Sequence, residues 1–265
     1  MKRSESFPAA PAVAPPWAAR RRRAIHLAER WPHAEEMLRL YRALLDVQEP
    51  ASRDARGERP GPEALPGYVA ARVVPAVVAA TVATGPRALV DALRPPLRDP
   101  EAAVRRWLAG ESQSATDEYV ARAATAPVLE ALGAAGLPRP AVDGGCPHCG
   151  GRPQLAYVAE SAESLLTPPR RLLCCRCGGS WVHARLTCAA CAERASARLP
   201  IFADEERLPA LRADACESCH RYLITVDVRR DPAAVPEVDE LVALPLDLHA
   251  RERGFVKIVP NLMGI

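Results

Sequence analysis

The chain has 265 residues, of which 49% are hydrophobic and 25% are charged, and its formal net charge at pH 7 is only +3. This balance predicts a globular protein that can bury a core. Because the net charge is small, it gives no reason to expect strong electrostatic binding to nucleic acid or to an anionic membrane.

Two N-terminal features could be mistaken for membrane or export signals. The most apolar run, residues 73–83, contains Pro75 and is shorter than the roughly 20 residues needed to span a bilayer. The arginines at positions 20–23 resemble a twin-arginine export signal, but charged residues follow where that signal has its apolar segment. No cleavable apolar leader opens the sequence. We therefore expect a soluble, cytoplasmic protein without a membrane span.

The beginning of the chain predicts a tail followed by a long helix. Residues 1–16 lack any periodicity and predict a disordered tail. After Pro32, apolar residues recur at spacings of three and four, which predicts a helix that ends near Gln48. Residues 49–66 are rich in Pro, Gly, Arg and Asp, so we expect a surface loop there.

Three more helical segments follow, and the N-terminal domain is predicted to be all-α because it shows no strand-like alternation. Asp99 can cap a helix in which Pro100 takes the first position. We expect this domain to cover residues 17–137. The three segments are residues 67–92, broken at Pro75 and near Gly85; residues 99–109; and residues 116–135, bent at Pro127.

Eight of the nine cysteines form four C-x2-C pairs between positions 146 and 219. Each pair can present two thiolates from one tight turn, and two such turns complete a tetrahedral shell of four sulfurs for zinc or iron. Four regular pairs in a reducing compartment indicate metal ligands rather than disulfides. The pairs are Cys146 and Cys149, Cys174 and Cys177, Cys188 and Cys191, and Cys216 and Cys219.

The spacing of the pairs predicts which of them share an ion. Between the first and second pairs lie 24 residues, and between the third and fourth pairs lie another 24. A shift of 42 positions therefore maps the first four cysteines onto the second four. This internal repeat favours serial pairing, while crossed pairing stays open. The predicted sites are Cys146, Cys149, Cys174 and Cys177 for the first ion, and Cys188, Cys191, Cys216 and Cys219 for the second.

The residues around the cysteines separate the two sites. Gly150 and Gly178 follow the closing cysteines of the first site, where a residue without Cβ eases the turn. The second site has Ala192 and His220 there, so we expect it to lose its metal first. The 42-residue register assigns the ligand role to Cys174 and makes Cys175 a bystander, while an exchange of roles between these adjacent thiols stays open. The Cys-Pro-His-Cys-Gly string resembles a rubredoxin knuckle, which leaves both iron and zinc open.

After the predicted domain boundary at residues 137–145, short segments with strand-like alternation flank the C-x2-C turns, which we call knuckles. They predict two tandem ribbons, residues 144–187 and 188–232, whose folding depends on metal because they contain little apolar material. Residues 233–265 predict an amphipathic helix at 238–253, ended by Gly254, and an irregular tail. The fold class is therefore α+β: an all-α N-terminal domain, two tandem rubredoxin-like or zinc-ribbon-like modules with four cysteine ligands each, and a C-terminal helix. The strand candidates are residues 155–158, 172–173, 181–186, 198–202 and 222–228.

The sequence offers little evidence for an enzyme. Four thiolates fill each predicted site, whereas a catalytic zinc keeps a position open for water. There is no nucleophile elbow, phosphate loop or pair of carboxylates on a shared face. A nucleic-acid-binding ribbon and, if the metal is iron, a rubredoxin-like electron carrier are the alternatives to a protein-binding module. We expect no catalytic residue and no nucleic-acid partner.

The cysteine region resembles the FdhE proteins, which are formate dehydrogenase accessory proteins. The likeness is strong after Gly145 and looser in the N-terminal part, where residues 21–31 resemble the family's start. Two departures are His220, where the family usually has glycine, and Pro260-Asn261, where it has Asn-Pro. The matching string is Cys146-Pro-x-Cys149-Gly, Cys174-x2-Cys177-x3-Trp181-x3-Arg185-x2-Cys188-x2-Cys191, Ala213-x2-Cys216-x2-Cys219-x2-Tyr222-Leu223 and, in the C-terminal helix, Val238-Asp-Glu-Leu-x2-Leu-x2-Asp247.

This resemblance implies a cytoplasmic assembly factor without enzymatic activity. Proteins of the family bind the catalytic subunit of respiratory formate dehydrogenase during its maturation, before or during twin-arginine export, and carry rubredoxin-like metal sites. It implies two ions, iron or zinc, and Trp181, Arg185 and Asp247 as candidate partner-binding residues. The oligomeric state stays open.

Overall fold

The computed structural model describes residues 17–133, 144–159, 168–262 and 264. Helices fill the N-terminal part, and a seven-stranded sheet with a short C-terminal helical segment follows. The predicted α+β class is therefore confirmed. The predicted tail at residues 1–16 and most of the predicted linker lie outside the described residues.

The helices of the N-terminal part begin and end largely where the sequence indicates. The side chain of Asp99 accepts a hydrogen bond from the amide of Ala102 at 2.9 Å and caps α6, and Ser114 caps α7 in the same way. Pro75 lies in the first turn of α4, so it begins a helix after the break at Val73. The helices are α1 (Trp17–Arg30), α2 (Glu35–Glu58), α3 (Leu65–Arg72), α4 (Val74–Thr84), α5 (Arg87–Leu93), α6 (Pro100–Ala109) and α7 (Ala115–Leu132), with a 3-10 turn at Pro32–Ala34.

The end predicted for α2 near Gln48 is wrong, because the helix runs on to Glu58 with Pro50 inside it. Gln48, Ser52 and Ala55 are buried and continue the inward-facing stripe with small or polar side chains. Gln48 donates a hydrogen bond to the carbonyl of Ala123 at 2.8 Å. The sequence pattern did not indicate this last part of α2, because its inward-facing residues are not large and apolar.

No single described helix is long and apolar enough to cross a bilayer. The bent pair α3 and α4, with 40° between them, passes the same test of length and composition.

The two cysteine modules are joined in one sheet with the strand order β3-β2-β1-β6-β5-β4, and β7 pairs with β6. Strands within each module are antiparallel, whereas β1 and β6 meet in parallel at the centre. The strand β5 was missed in the sequence because alanines take its inward positions. The strands are β1 (Pro153–Val158), β2 (Arg170–Cys174), β3 (Ser180–His183), β4 (Ile201–Ala203), β5 (Leu211–Cys216), β6 (Arg221–Asp227) and β7 (Val256–Lys257).

Helix α2 contributes to two cores. Its Leu40 and Leu44 pack among α3, α4, α6 and α7, while its Leu38 and Leu45 pack with α1 against the inner face of the sheet. Tyr222 and Ile224 of β6 belong to this second core. The helical part therefore buries part of its apolar surface against the sheet.

The C-terminal segment is divided into short pieces rather than the single helix predicted at residues 238–253. They are α8 (Pro236–Asp239), a 3-10 turn (Glu240–Val242) and α9 (Leu244–Glu252). Pro245 lies in the first turn of α9 and begins a new helix instead of kinking an old one. Gly254, with a φ of +84°, ends α9 as predicted, and the chain then returns to the sheet as β7.

Candidate metal centres

The structure brings the eight paired cysteines together in two groups, and the pairing is serial as the 42-residue repeat predicts. Within each group the four sulfur atoms lie within 4.8 Å of one another. Cys174, and not the adjacent Cys175, joins the first group. The groups are Cys146, Cys149, Cys174 and Cys177 (site 1), and Cys188, Cys191, Cys216 and Cys219 (site 2).

The sulfur spacing fits a tetrahedral ion. A metal–sulfur distance of about 2.3 Å requires the sulfurs of a regular tetrahedron to lie about 3.8 Å apart. In site 1 the Sγ atoms of Cys146 and Cys177 are 3.7 Å apart, and those of Cys149 and Cys174 are 3.5 Å apart. The two corresponding pairs of site 2 both measure 3.7 Å. Both sites therefore suit zinc or iron with four thiolate ligands.

Each knuckle of site 1 is a tight turn that ends in a left-handed glycine. Gly150 and Gly178 have φ values of +66° and +65°, and their amides bond back to the carbonyls of Cys146 and Cys174. The amide of Arg176 also points at the Cys174 sulfur, at 3.4 Å. Such N–H donors stabilise thiolate charge next to a metal.

Site 1 is buried and is tied to the helical part. All four of its cysteines are buried, and Trp181 packs against them. Arg176 donates a hydrogen bond to the carbonyl of Cys149 at 3.1 Å, and its guanidinium lies 6.0 Å from the ring centroid of Trp107 on α6. The knuckles of site 1 thus contact Trp181 of the sheet and, through Arg176, Trp107 of the helical part.

Site 2 is more exposed and more strained. Cys191 is exposed, whereas every site 1 ligand is buried. Ala192 and His220 occupy the glycine positions of the knuckles with φ values of +61° and +54°. An L-residue with a Cβ pays about 1 kcal/mol or more to adopt this left-handed conformation. These two features support the prediction that site 2 releases its metal first.

The thiols of each site cannot all ionise without a cation. Hydrogen bonds from Cys146 and then Cys149 raise the pKa of Cys174 well above its usual value, and contacts with the same two sulfurs raise the pKa of Cys177. In site 2, burial raises the pKa of Cys188 and of Cys219. Metal binding at neutral pH therefore displaces protons, which makes metal affinity fall as the pH falls.

Gly151 is a site residue that the sequence reading missed. A Cβ at this position would lie 2.5 Å from the Cys174 sulfur and 3.2 Å from the Cys149 sulfur. Only glycine therefore lets the chain pass behind the two ligands. The doubled glycines after Cys149 and Cys177 were the available signal.

Replacing Gly151 by alanine should weaken metal binding at site 1 about tenfold to a hundredfold, because the methyl group displaces the sulfurs at a cost of about 1–3 kcal/mol. Metal release to a competing chromophoric chelator measures this change. Gly178→Ala is the matched control: its Cβ would meet no atom within 4 Å, so only the backbone strain of its φ of +65° is added. Equal effects of the two variants would contradict a steric role for Gly151.

Replacing Ala192 and His220 by glycine should strengthen metal binding at site 2. Relief of the left-handed strain is expected to contribute about 1 kcal/mol at each position, or about fivefold in metal affinity. When a chelator removes the metal, the fast phase of release is assigned to site 2 and the slow phase to site 1. The fast phase should become slower in the double variant, and the slow phase should not change. An unchanged fast phase in Ala192→Gly/His220→Gly would show that strain does not limit site 2.

The three candidate partner-binding residues lie in different environments. Trp181 is half-buried beside site 1, and Arg185 is exposed in the turn that connects β3 to site 2. Asp247 is fully buried and accepts hydrogen bonds from Tyr222 at 2.9 Å and Lys257 at 3.1 Å. We therefore assign Asp247 to internal structure and retain only Trp181 and Arg185 as candidates for direct contact.

Comparison with known proteins gives a consistent result. Residues 186–263 match the family model described as FdhE, C-terminal domain. A protein named Protein FdhE homolog from Aquifex aeolicus is 31% identical over 119 residues, which is 45% of this chain and 41% of that protein. A protein of the same name from Pseudomonas putida is 33% identical over 121 residues, which is 44% of this chain and 37% of that protein.

The matched segment thus spans less than half the length of these curated relatives. The fold likeness extends further: the crystal structure of the FdhE protein from Pseudomonas aeruginosa superposes with a TM-score of 0.66 and covers 93% of this chain and 95% of that chain. At 24% sequence identity this likeness shows that the two chains share a fold.

Proposed function

We propose that this chain, whose predicted resemblance to the FdhE family is confirmed in sequence and in fold, is an accessory protein of formate dehydrogenase. In this proposal it binds the catalytic subunit of a respiratory formate dehydrogenase in the cytoplasm and supports its maturation before or during twin-arginine export. The metal sites shape the binding surface, and the chain itself performs no catalysis.

The observation that carries this proposal is that each site can be filled by four protein sulfurs. The four sulfur atoms of each site lie within 4.8 Å of one another. As thiolates they complete the coordination shell of a tetrahedral ion and leave no coordination position for a substrate. An ion so enclosed stabilises the fold around it and does not bind reactants. The cysteines therefore build the sheet that a partner contacts.

The arrangement of the sheet supports a binding role. The two modules form one continuous sheet, and the helices pack on its inner face. Site 1 also contacts α6 through Arg176 and Trp107. Loss of either ion should therefore disturb a surface much larger than its own knuckles.

The proposal is tested by co-purification. The tagged chain is expressed with the formate dehydrogenase catalytic subunit of its own genome, recovered under anaerobic conditions and analysed for metal and for bound partner. Cys146→Ser and Cys188→Ser test whether recovery depends on site 1 and site 2, respectively. We expect the catalytic subunit to be recovered with the original chain and lost with both variants.

Other outcomes of this experiment would contradict the proposal. Recovery of nucleic acid that is released by salt would indicate a nucleic-acid-binding ribbon. A red, redox-active protein that recovers no catalytic subunit would indicate an electron carrier with iron in its sites.

A further inference from the structure

A groove on the outer face of the sheet, opposite the helices, connects the two metal modules. It has a volume of about 170 Å³ and is lined by residues from the β3–site 2 turn, β4, β5 and β6. We call it the outer groove. The residues that the argument uses are Arg185, Leu186, Ile201, Arg212, Asp214 and Arg221.

Two aliphatic side chains that line the outer groove are exposed to solvent. Leu186 is 65% exposed and Ile201 is 57% exposed, which places them among the most exposed large apolar residues of the described chain. Leu186 comes from the turn before site 2, and Ile201 comes from the edge strand β4. Burying such a pair against a partner would contribute favourably to binding.

The charges around this apolar pair are positive and only partly neutralised. Arg185 and Arg221 have no carboxylate within 4 Å among the described residues. Asp214 is the one acidic side chain in the described lining, and it already accepts hydrogen bonds from Arg170, Arg212 and Thr225 at 2.7–3.1 Å. The groove thus presents two arginines that can pair with acidic groups of a ligand.

The shape of the outer groove depends on site 2. Arg185 and Leu186 precede Cys188 by three and two positions, and Arg221 follows Cys219 by two positions. The turn is also held from inside, because the carbonyl of Thr187 accepts a hydrogen bond from the buried Arg170 at 3.1 Å. An ion at site 2 would therefore fix the turn that carries Arg185 and the start of β6, which carries Arg221.

We propose that the outer groove binds an extended acidic segment of the partner protein. An aliphatic side chain of that segment lies between Leu186 and Ile201, and flanking carboxylates pair with Arg185 and Arg221. This inference rests on the proposed function, so the partner is the formate dehydrogenase catalytic subunit. Occupancy of site 2 is required for binding because it positions the groove.

The groove favours a peptide over nucleic acid. Binding of single strands uses aromatic rings on which bases stack. The aromatic residue in the described lining is Tyr222, which is 1% exposed and points to the inner core. Two exposed aliphatic side chains and two arginines in one groove match a peptide segment that combines an aliphatic residue with carboxylates.

The test measures binding of the purified full chain to the purified catalytic subunit by biolayer interferometry. Leu186→Asp and Arg185→Glu/Arg221→Glu should each weaken binding at least tenfold, since they place like charges against the acidic segment. Val82→Asp and Arg87→Glu are matched controls on the helical part. Val82 is 48% exposed, and the side chain of Arg87 is 94% exposed. The controls should change binding less than twofold. Metal content and thermal unfolding verify that each variant is folded.

The outcomes separate this inference from the proposed function. If the original chain binds the catalytic subunit and the groove variants bind it equally well, the groove is not the docking site and the proposed function stands. If the original chain does not bind the catalytic subunit, the proposed function fails. A photo-crosslinker at position 186 should label a segment of the catalytic subunit rich in Asp or Glu, and labelling only of basic segments or of nucleic acid would overturn the inference.

Discussion

Cys174→Ser is expected to abolish metal binding at site 1, whereas the same replacement of the adjacent Cys175 should leave both ions in place. The Cys174 sulfur lies in the site 1 group, 3.5 Å from the Cys149 sulfur, and Cys175 lies outside that group. A hydroxyl group is a poor substitute for a thiolate ligand of zinc or iron. The two variants differ by one position and test the assignment directly.

The loss of this ion should unfold the first module. Structural zinc in small modules contributes about 10–16 kcal/mol of apparent binding free energy, which is also folding free energy. Among the described residues, Trp181 is the partly buried apolar residue that packs on the four cysteines of site 1. We therefore expect Cys174→Ser to lose one of two metal equivalents, lower the thermal midpoint and show reduced strand signal in circular dichroism.

Cys175→Ser serves as the control for the chemistry of the substitution. Cys175 is half-buried and packs on the helical core, so a small loss of stability is expected without metal loss. Retention of both metal equivalents in Cys174→Ser, or loss of one in Cys175→Ser, would refute the assignment of the ligand.

Lys257→Met is expected to destabilise the folded chain by about 3–5 kcal/mol, because it leaves two buried carboxylates without their cation. The Lys257 ammonium contacts Glu240 at 2.9 Å and Asp247 at 3.1 Å, and both acids are at most 3% exposed. Chemical denaturation at neutral pH measures the change. The triple variant Lys257→Met/Glu240→Gln/Asp247→Asn should recover most of the loss, because it removes both negative charges.

The same variant has a predictable pH dependence. Burial raises the pKa of Asp247 even though Lys257 opposes that shift, so removing Lys257 should raise it further. A carboxyl group whose pKa is higher in the folded state favours folding when it is protonated. The destabilisation by Lys257→Met should therefore be full at pH 8 and become smaller as the pH falls toward the pKa of the folded state. A loss that is constant with pH would contradict the unpaired-charge explanation.

The two cysteine groups could be predicted because their information is local and periodic. Two C-x2-C turns separated by 24 residues, repeated after 42 positions, predict the serial grouping and the exclusion of Cys175, as the structure has them. The cap of α6 was equally accessible, since Asp99 acts on an amide only three residues away. Backbone strain at Ala192 and His220 also follows from the repeat, because glycines occupy the matching positions of site 1.

Contacts between distant residues were not accessible from the sequence. The long α2 was cut short in the prediction because Ser52 and Ala55 are not strongly apolar, and only their contacts with other helices show that they are buried. Lys257 is one of two lysines, and its burial with Glu240 and Asp247 gives no periodic signal. The same limit applies to Asp247, which matched a sequence motif but lies inside the protein.

The sequence by itself therefore determined the grouping of the eight cysteines and the α+β class, because C-x2-C turns and helix caps are built from residues a few positions apart. The tertiary structure alone decided that the two modules join through the parallel pair β1 and β6, that α2 belongs to two cores and that Leu186 and Ile201 flank one groove. These features depend on burial and on the pairing of strands far apart in the chain, where one residue's neighbours are set by the fold and not by its position in the sequence.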